Sequence, residues 1–195
     1  KKAEAQAREA QIQLALERIR ARAMAMQKSD ELEDVALELR VQMAALGTNE
    51  LEPCAVNLYE ESDEFVEEWT AVRPPESNEE IFELNFKLPK KGIYIMEDML
   101  EAYASGVEEY VFVLEGEKGI QWMSTMEAEY PELFSAAAAT PGYKSTGFVQ
   151  AWFSCCYFTG GSLIMITMSP PLQESREILK QFTKVFGMAY RRFAD

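Results

Sequence analysis

FVQAWFSCCYFTGGSLIMITM, residues 148–168, decides the fold class. Phe148 to Phe158 is the longest strand candidate in the chain. Its odd positions, Val149, Ala151, Phe153, Cys155 and Tyr157, are almost wholly apolar. Its even positions are Phe148, Gln150, Trp152, Ser154, Cys156 and Phe158, so one face carries two polar side chains. Gly160-Gly161 is a hairpin signal, because glycine accepts the positive φ that tight turns between twisted strands need. Leu163 to Met168 returns as a second apolar strand. A hairpin means antiparallel pairing.

The same period recurs upstream. Cys54, Val56 and Leu58 alternate with Ala55, Asn57 and Tyr59, residues 61–63 turn the chain, and Glu64 to Val72 pairs back carrying Trp69. Residues 73–78 form a loop. Phe82, Leu84, Phe86 and Leu88 then alternate with Glu83, Asn85 and Lys87, a strand with one wet face. Residues 95–105 are helical and end at Gly106. Tyr110 to Leu114 is a short buried strand. Residues 117–139 are mostly helical, broken at Pro131, with a low-complexity tail at 135–139. Ser169-Pro170 opens the last helix, whose apolar face is Ile178, Leu179, Phe182, Val185, Phe186, Ala189 and Phe193.

The N-terminus is different. Residues 1–28 contain neither Pro nor Gly, and Ile12, Leu16, Ile19, Ala23 and Met26 follow one another at alternating spacings of four and three. That is a narrow heptad seam flanked by Glu, Gln, Arg and Lys. Such a seam finds a partner in a second copy, together with Phe182, Phe186 and Phe193 of the last helix; packing on its own core is the competing reading. Ser29 caps a second helix carrying Leu32, Val35, Ala36, Leu39, Met43 and Leu46, and Gly47 closes it. The expected fold is α+β. It has a central antiparallel sheet of five to six strands, helices on both faces, and long N- and C-terminal helices. The chain divides into a leading helix (1–28), a core (29–171) and an exit helix (172–195).

Composition narrows the function. Nineteen Lys and Arg against 33 Asp and Glu leave a net charge of −14, which repels nucleic-acid phosphates. No His is present, so imidazole bases, Ser-His-Asp triads and His-ligated metals are excluded. Three Cys, two of them adjacent, read as core thiols in a reducing cytoplasm. No stretch approaches the ~18 apolar residues of a membrane span. A chain that opens on Lys-Lys reads as a piece of a longer protein.

The polar face of the 148–158 strand suggests an internal pocket. Gln150 and Ser154 would offer hydrogen bonds, and Trp152 and Cys156 would complete the wall. Tyr94, Tyr103, Trp122 and Met126 on the mid-chain helices would roof it, and Asn57 and Trp69 would extend its floor. The competing reading gives Gln150 and Ser154 a neighbouring helix or a buried water as partner. Cys155 and Cys156 point to opposite faces of a strand, which argues against a thiol enzyme. The acidic runs EESDE and EEWT read as solvated surface, without the spacing of a calcium loop.

REAQIQLALERIRARAMAMQKSDEL (8–32) resembles the helix that precedes GAF-like domains in multi-domain bacterial signalling proteins, notably sensor histidine kinases of the Bacteroidetes type. ILKQFTKVFGMAYRRFAD (178–195) resembles the exit helix of the same modules. The resemblance implies a GAF-like sensor fold and a non-catalytic cytoplasmic regulatory role in a two-component system. Its implied partners are a second copy, adjacent modules of the same chain and a small molecule. The Asn-Lys-Phe-Asp-Glu motif of cyclic-nucleotide-binding GAF domains is absent, and bilin attachment through Cys-His is impossible without His. No cofactor is therefore named. A structural spacer without a ligand is the alternative.

Overall fold

The computed structural model describes residues 1–48, 51–60, 64–72, 82–129, 131 and 150–194. In chain order the elements are α1 (Lys2–Ala25), a single 3-10 turn (Ser29–Glu31), α2 (Leu32–Ala45), β1 (Leu51–Leu58), β2 (Phe65–Val72), β3 (Phe82–Pro89), α3 (Tyr94–Ala104), β4 (Glu109–Leu114), α4 (Gly116–Glu129), β5 (Ala151–Phe158), β6 (Gly161–Thr167) and α5 (Gln173–Ala194). The strands form one six-stranded sheet in the order β3-β2-β1-β6-β5-β4. Every neighbouring pair is antiparallel. The fold is α+β, with long helices at both ends, and the arrangement is consistent with a GAF-like fold. The turn expected at 61–63, the loop at 73–78, the tail at 135–139 and the strand start at 148–149 lie outside the described residues.

The deciding hairpin forms as its glycines require. Thr159-Gly160 is a two-residue turn with Gly160 at φ 98°. Gly161 opens β6 opposite Leu58 of β1. A Cβ there would stand 2.0 Å from the Asn57 carbonyl oxygen, so only glycine lets the two strands close. At the end of α2, Gly47 takes φ 83°. The Thr48 N–H reaches the Met43 carbonyl at 3.1 Å and the Gly47 N–H reaches Ala44 at 3.0 Å, a Schellman termination. Ser29 does not cap α2 through its side chain. The corner is instead held by the Glu31 carboxylate, which accepts the Gln27 N–H at 2.7 Å. Pro170 precedes α5 rather than starting it; the first helical bond runs from the Arg176 N–H to the Leu172 carbonyl.

Each sheet face has its own core. Cys54, Val56, Leu58, Trp69, Ala71, Cys156, Leu163 and Met165 face α2 and α5. Ala55, Val66, Phe86, Leu88, Phe153, Cys155 and Ile164 face α3 and α4. The strand at 110–114 was expected to be buried, but β4 is an edge strand, with Tyr110 and Val113 exposed. Glu109 at its start is held by Arg176 at 2.9 Å and Lys180 at 3.2 Å from α5.

The heptad seam of α1 is spent inside the chain. Ile12, Leu16, Ile19, Ala23 and Met26 are buried in the same cluster as Phe182 and Phe186, and Phe193 packs against its margin. An interface between copies built on these residues is therefore corrected: the surface it needs is already covered. The cause lies in how the helices run. Arg22 pairs with Asp34 and Arg18 reaches Gln42, so α1 is antiparallel to α2. Arg8 pairs with Glu174 at 2.8 Å, at the start of α5, so α1 is parallel to α5. Two helices lying on the sheet make a groove, and α1 fills it with the narrow apolar stripe that a groove accommodates. Residues before Ile12 stay largely exposed.

Candidate functional site

Strand register aligns one continuous line of side chains across five strands on the α3/α4 face. Phe86 of β3 lies opposite Glu68 of β2, and Glu68 opposite Asn57 of β1. Asn57 lies opposite Ser162 of β6, and Ser162 opposite Tyr157 of β5. Strands stand ~4.8 Å apart, so consecutive members of this row are close neighbours. Asn57 and Ser162 are 0% exposed and Glu68 is 9% exposed. A carboxyl, an amide and a hydroxyl thus sit in line within a mainly apolar layer.

Half of the row is satisfied. The Tyr59 and Ser162 hydroxyls share a hydrogen bond of 2.7 Å. The Tyr157 hydroxyl donates to the Met99 carbonyl at 3.0 Å, fixing β5 to α3. The Tyr103 hydroxyl of α3 accepts the Gly160 N–H at 2.8 Å. The three rings form a cluster: Tyr59 and Tyr103 centroids are 5.1 Å apart, edge to face, and Tyr103 and Tyr157 are 5.8 Å apart. Thr70, next on β2, donates to the Cys54 carbonyl at 3.2 Å.

The other half is unsatisfied. Neither the Nδ2 nor the Oδ1 of Asn57 has a hydrogen-bond partner, although buried polar groups are nearly always paired because leaving one bare costs roughly 1–3 kcal/mol. Burial pushes the Glu68 carboxyl from its ordinary 4.5 up to about 7. The Asn57 amide opposes that rise and so favours the anion, but it stands short of a completed bond. Among the described residues no Lys or Arg acts on Glu68. Lys118 of α4 is held by Asp98 at 2.5 Å at the surface, and Lys90 bonds the Glu60 carbonyl.

The pocket expected from the sequence does not assemble. Trp152, Ser154 and Cys156 point toward the α5 side of β5, as does Trp69 on β2 toward α2, whereas α3 and α4 cover the opposite face. The wall and its roof are thus on two sides of the sheet. Trp122 meets Phe153 edge to face at 6.0 Å, and Met126 is buried in the same layer. Gln150 lies before β5 and bonds Glu115 at the margin. Tyr94 is 46% exposed at the start of α3, beneath Lys118. Of the ten residues, Asn57 and Tyr103 belong to the polar row and its tyrosine cluster. Ser154 is buried on the α5 side with its hydroxyl unpaired.

Glu68, Ser162, Tyr59 and Tyr157 were missed. Glu68 belongs to the run EEWT, read as solvated surface. It is in phase with Val66 and Thr70, however, and all three are buried. The cysteines behave as the strand geometry requires: Cys155 and Cys156 lie in opposite cores. Burial raises the thiols of Cys54 and Cys156 to about 12 and that of Cys155 well above its ordinary value. Protonated thiols are poor nucleophiles. Among the described residues no cluster of His, Cys, Asp and Glu could hold a metal ion, and no helix is long and apolar enough to cross a membrane. No protein-family model matches the chain, and no curated protein matches it.

Proposed function

We propose that this chain is a non-catalytic, GAF-like sensor domain of a cytoplasmic signalling protein, of the kind that regulates a histidine kinase. It binds a small molecule at the polar row of Glu68, Asn57 and Ser162. The observation that carries the reading is Asn57: a fully buried amide with both polar atoms unpaired, beside a buried carboxyl. A spacer with no ligand gains nothing from that arrangement, since an apolar residue of similar shape would be more stable there.

The route out of the site is short. Tyr157 faces the row, and the next residue, Phe158, faces the other core, where it meets Phe186 at 5.0 Å and Tyr190 at 5.7 Å on α5. Gly187 permits that approach, since a Cβ there would stand 2.8 Å from Phe158. A ligand that draws the β5–β6 hairpin toward α3 therefore shifts the packing of α5, and with it α1. Because α1 and α5 run parallel, the chain arrives at one end of the helical layer and leaves at the other, as a relay between adjacent modules requires. Packed helices switch by small shifts of this kind, provided the ligand prefers one state.

Association with a second copy, in this reading, uses the outward side of α1. Leu14 and Met24 are 55% and 57% exposed there, and Ala21, Ala25 and Val41 line an open groove of about 560 Å³ between α1 and α2. The test is a thermal-shift screen with a panel of small amines, carboxylates, sugars and nucleotides. The proposal expects at least one compound to raise the Tm of the native chain and not that of Asn57→Leu. Equal behaviour of both proteins toward every compound would refute it.

A further inference from the structure

The row also has a chemical preference. We infer that its ligand is a small organic ammonium compound, held by Glu68 and Asn57 and bordered by the rings of Tyr59, Tyr103 and Tyr157. This inference rests on the row being a binding site.

Three observations converge. First, Glu68 is 9% exposed, and no cation of the described residues faces it. Buried carboxylates are ordinarily paired, so the missing partner is a hydrogen-bond donor carrying positive charge. Second, Asn57 lies directly across from Glu68 with its carbonyl oxygen uncommitted, a second acceptor for the same ammonium group. Its Nδ2 is the donor that acts on the Glu68 carboxyl and favours the anion an ammonium group needs. Third, Tyr59 is in hydrogen-bond contact with Ser162, the neighbour of Asn57 in the row, and it joins Tyr103 and Tyr157 in the ring cluster. Aromatic rings attract cations through the negative charge of their faces, most strongly where water is excluded.

The alternative ligand charge is disfavoured on the same grounds. An anion would meet Glu68 with no Lys or Arg of the described residues to offset it, in a chain of net charge −14. The overall field draws small cations toward the surface and repels small anions. The binding step needs no covalent chemistry. The ammonium group keeps its proton, and Glu68 becomes the anion as the cation arrives, releasing its own proton to solvent when it held one. Burial had favoured the protonated carboxyl, and a bound cation reverses that preference.

The experiment uses three probes of matched size: propylammonium chloride, sodium propionate and 1-propanol, each titrated to high millimolar concentration. The readout is the side-chain amide signals of Asn57 and the side-chain carboxyl carbon of Glu68 by NMR. The inference expects saturable shifts of both with propylammonium only, and a lower apparent pKa for Glu68 in its presence. Glu68→Gln, which keeps the shape of the side chain, is expected to weaken propylammonium by about tenfold or more. Asn57→Ser is expected to weaken it less. Response to propionate or propanol but not to propylammonium would overturn the ammonium inference while leaving the row as a binding site. A row that responds to none of the three, and to no compound of the wider screen, would overturn both. Unchanged propylammonium binding by a folded Glu68→Gln would likewise refute the role of the carboxylate.

Discussion

Replacing Glu68 by Gln removes one ionisable group and almost no volume. In the native protein the carboxyl is raised from 4.5 to about 7, whereas in the unfolded chain it returns to the ordinary value. The folded state therefore holds a proton that the unfolded state releases. Its contribution to stability is fully present below the unfolded value, declines as pH rises from about 4.5 to 7, and is level above that. At about 1.4 kcal/mol per pH unit, ionisation costs the native protein roughly 1 kcal/mol at pH 5.5 and roughly 3 kcal/mol at pH 8. Gln bears none of this. The stability of Glu68→Gln relative to the native sequence should thus improve by about 2 kcal/mol between those two pH values. Any constant cost of a buried, unpaired amide cancels in that difference. Urea unfolding of both proteins at each pH measures it, with midpoint and slope fitted separately. Parallel pH profiles for the two proteins would mean that Glu68 is solvated, and the polar row would lose its buried carboxyl.

Gly161→Ala should destabilise by about 2–4 kcal/mol in urea unfolding, because the new methyl meets a backbone carbonyl rather than a movable side chain. Gly160→Ala meets no atom and strains only φ, so it should cost about 1 kcal/mol. Ile19→Ala should cost about 2–5 kcal/mol in a monomeric preparation because Ile19 is 0% exposed within its own chain. Leu14→Ala, on the outward side of the same helix, should change monomer stability by under about 0.5 kcal/mol. Equal effects would mean that α1 is not part of this core. Cys54, Cys155 and Cys156 are all buried and should resist a thiol reagent at pH 8 in the native state, then react together in denaturant; fast reaction of one thiol in the folded protein would contradict the packing.

Much of the fold was legible because it depends on local signals. The alternation in 54–58 and 82–88 and the glycine pair at 160–161 read correctly as strands and a hairpin, since period and turn chemistry are properties of neighbouring residues. Which helix covers which face is not local. The polar positions of β5 were identified, as were the aromatic residues of α3 and α4, but nothing along the chain says on which side of the sheet a helix will lie. The assumption that they meet failed by one strand position, which exchanges the two faces. The α1 seam failed in a related way. A heptad spacing describes the stripe and leaves open whether α2 and α5 or another molecule fills it. Glu68 was hidden by composition: two adjacent glutamates look solvated, yet on a strand they take opposite faces, and the face shared by Val66, Glu68 and Thr70 is buried.

Native mass spectrometry of the chain, purified without denaturation, tests the central claim most directly when paired with an Asn57→Leu/Glu68→Leu variant. The account predicts a fraction of the native chain carrying a small-molecule mass, released on activation, and none on the variant. A native chain that is always bare, or the same added mass on both proteins, would contradict it.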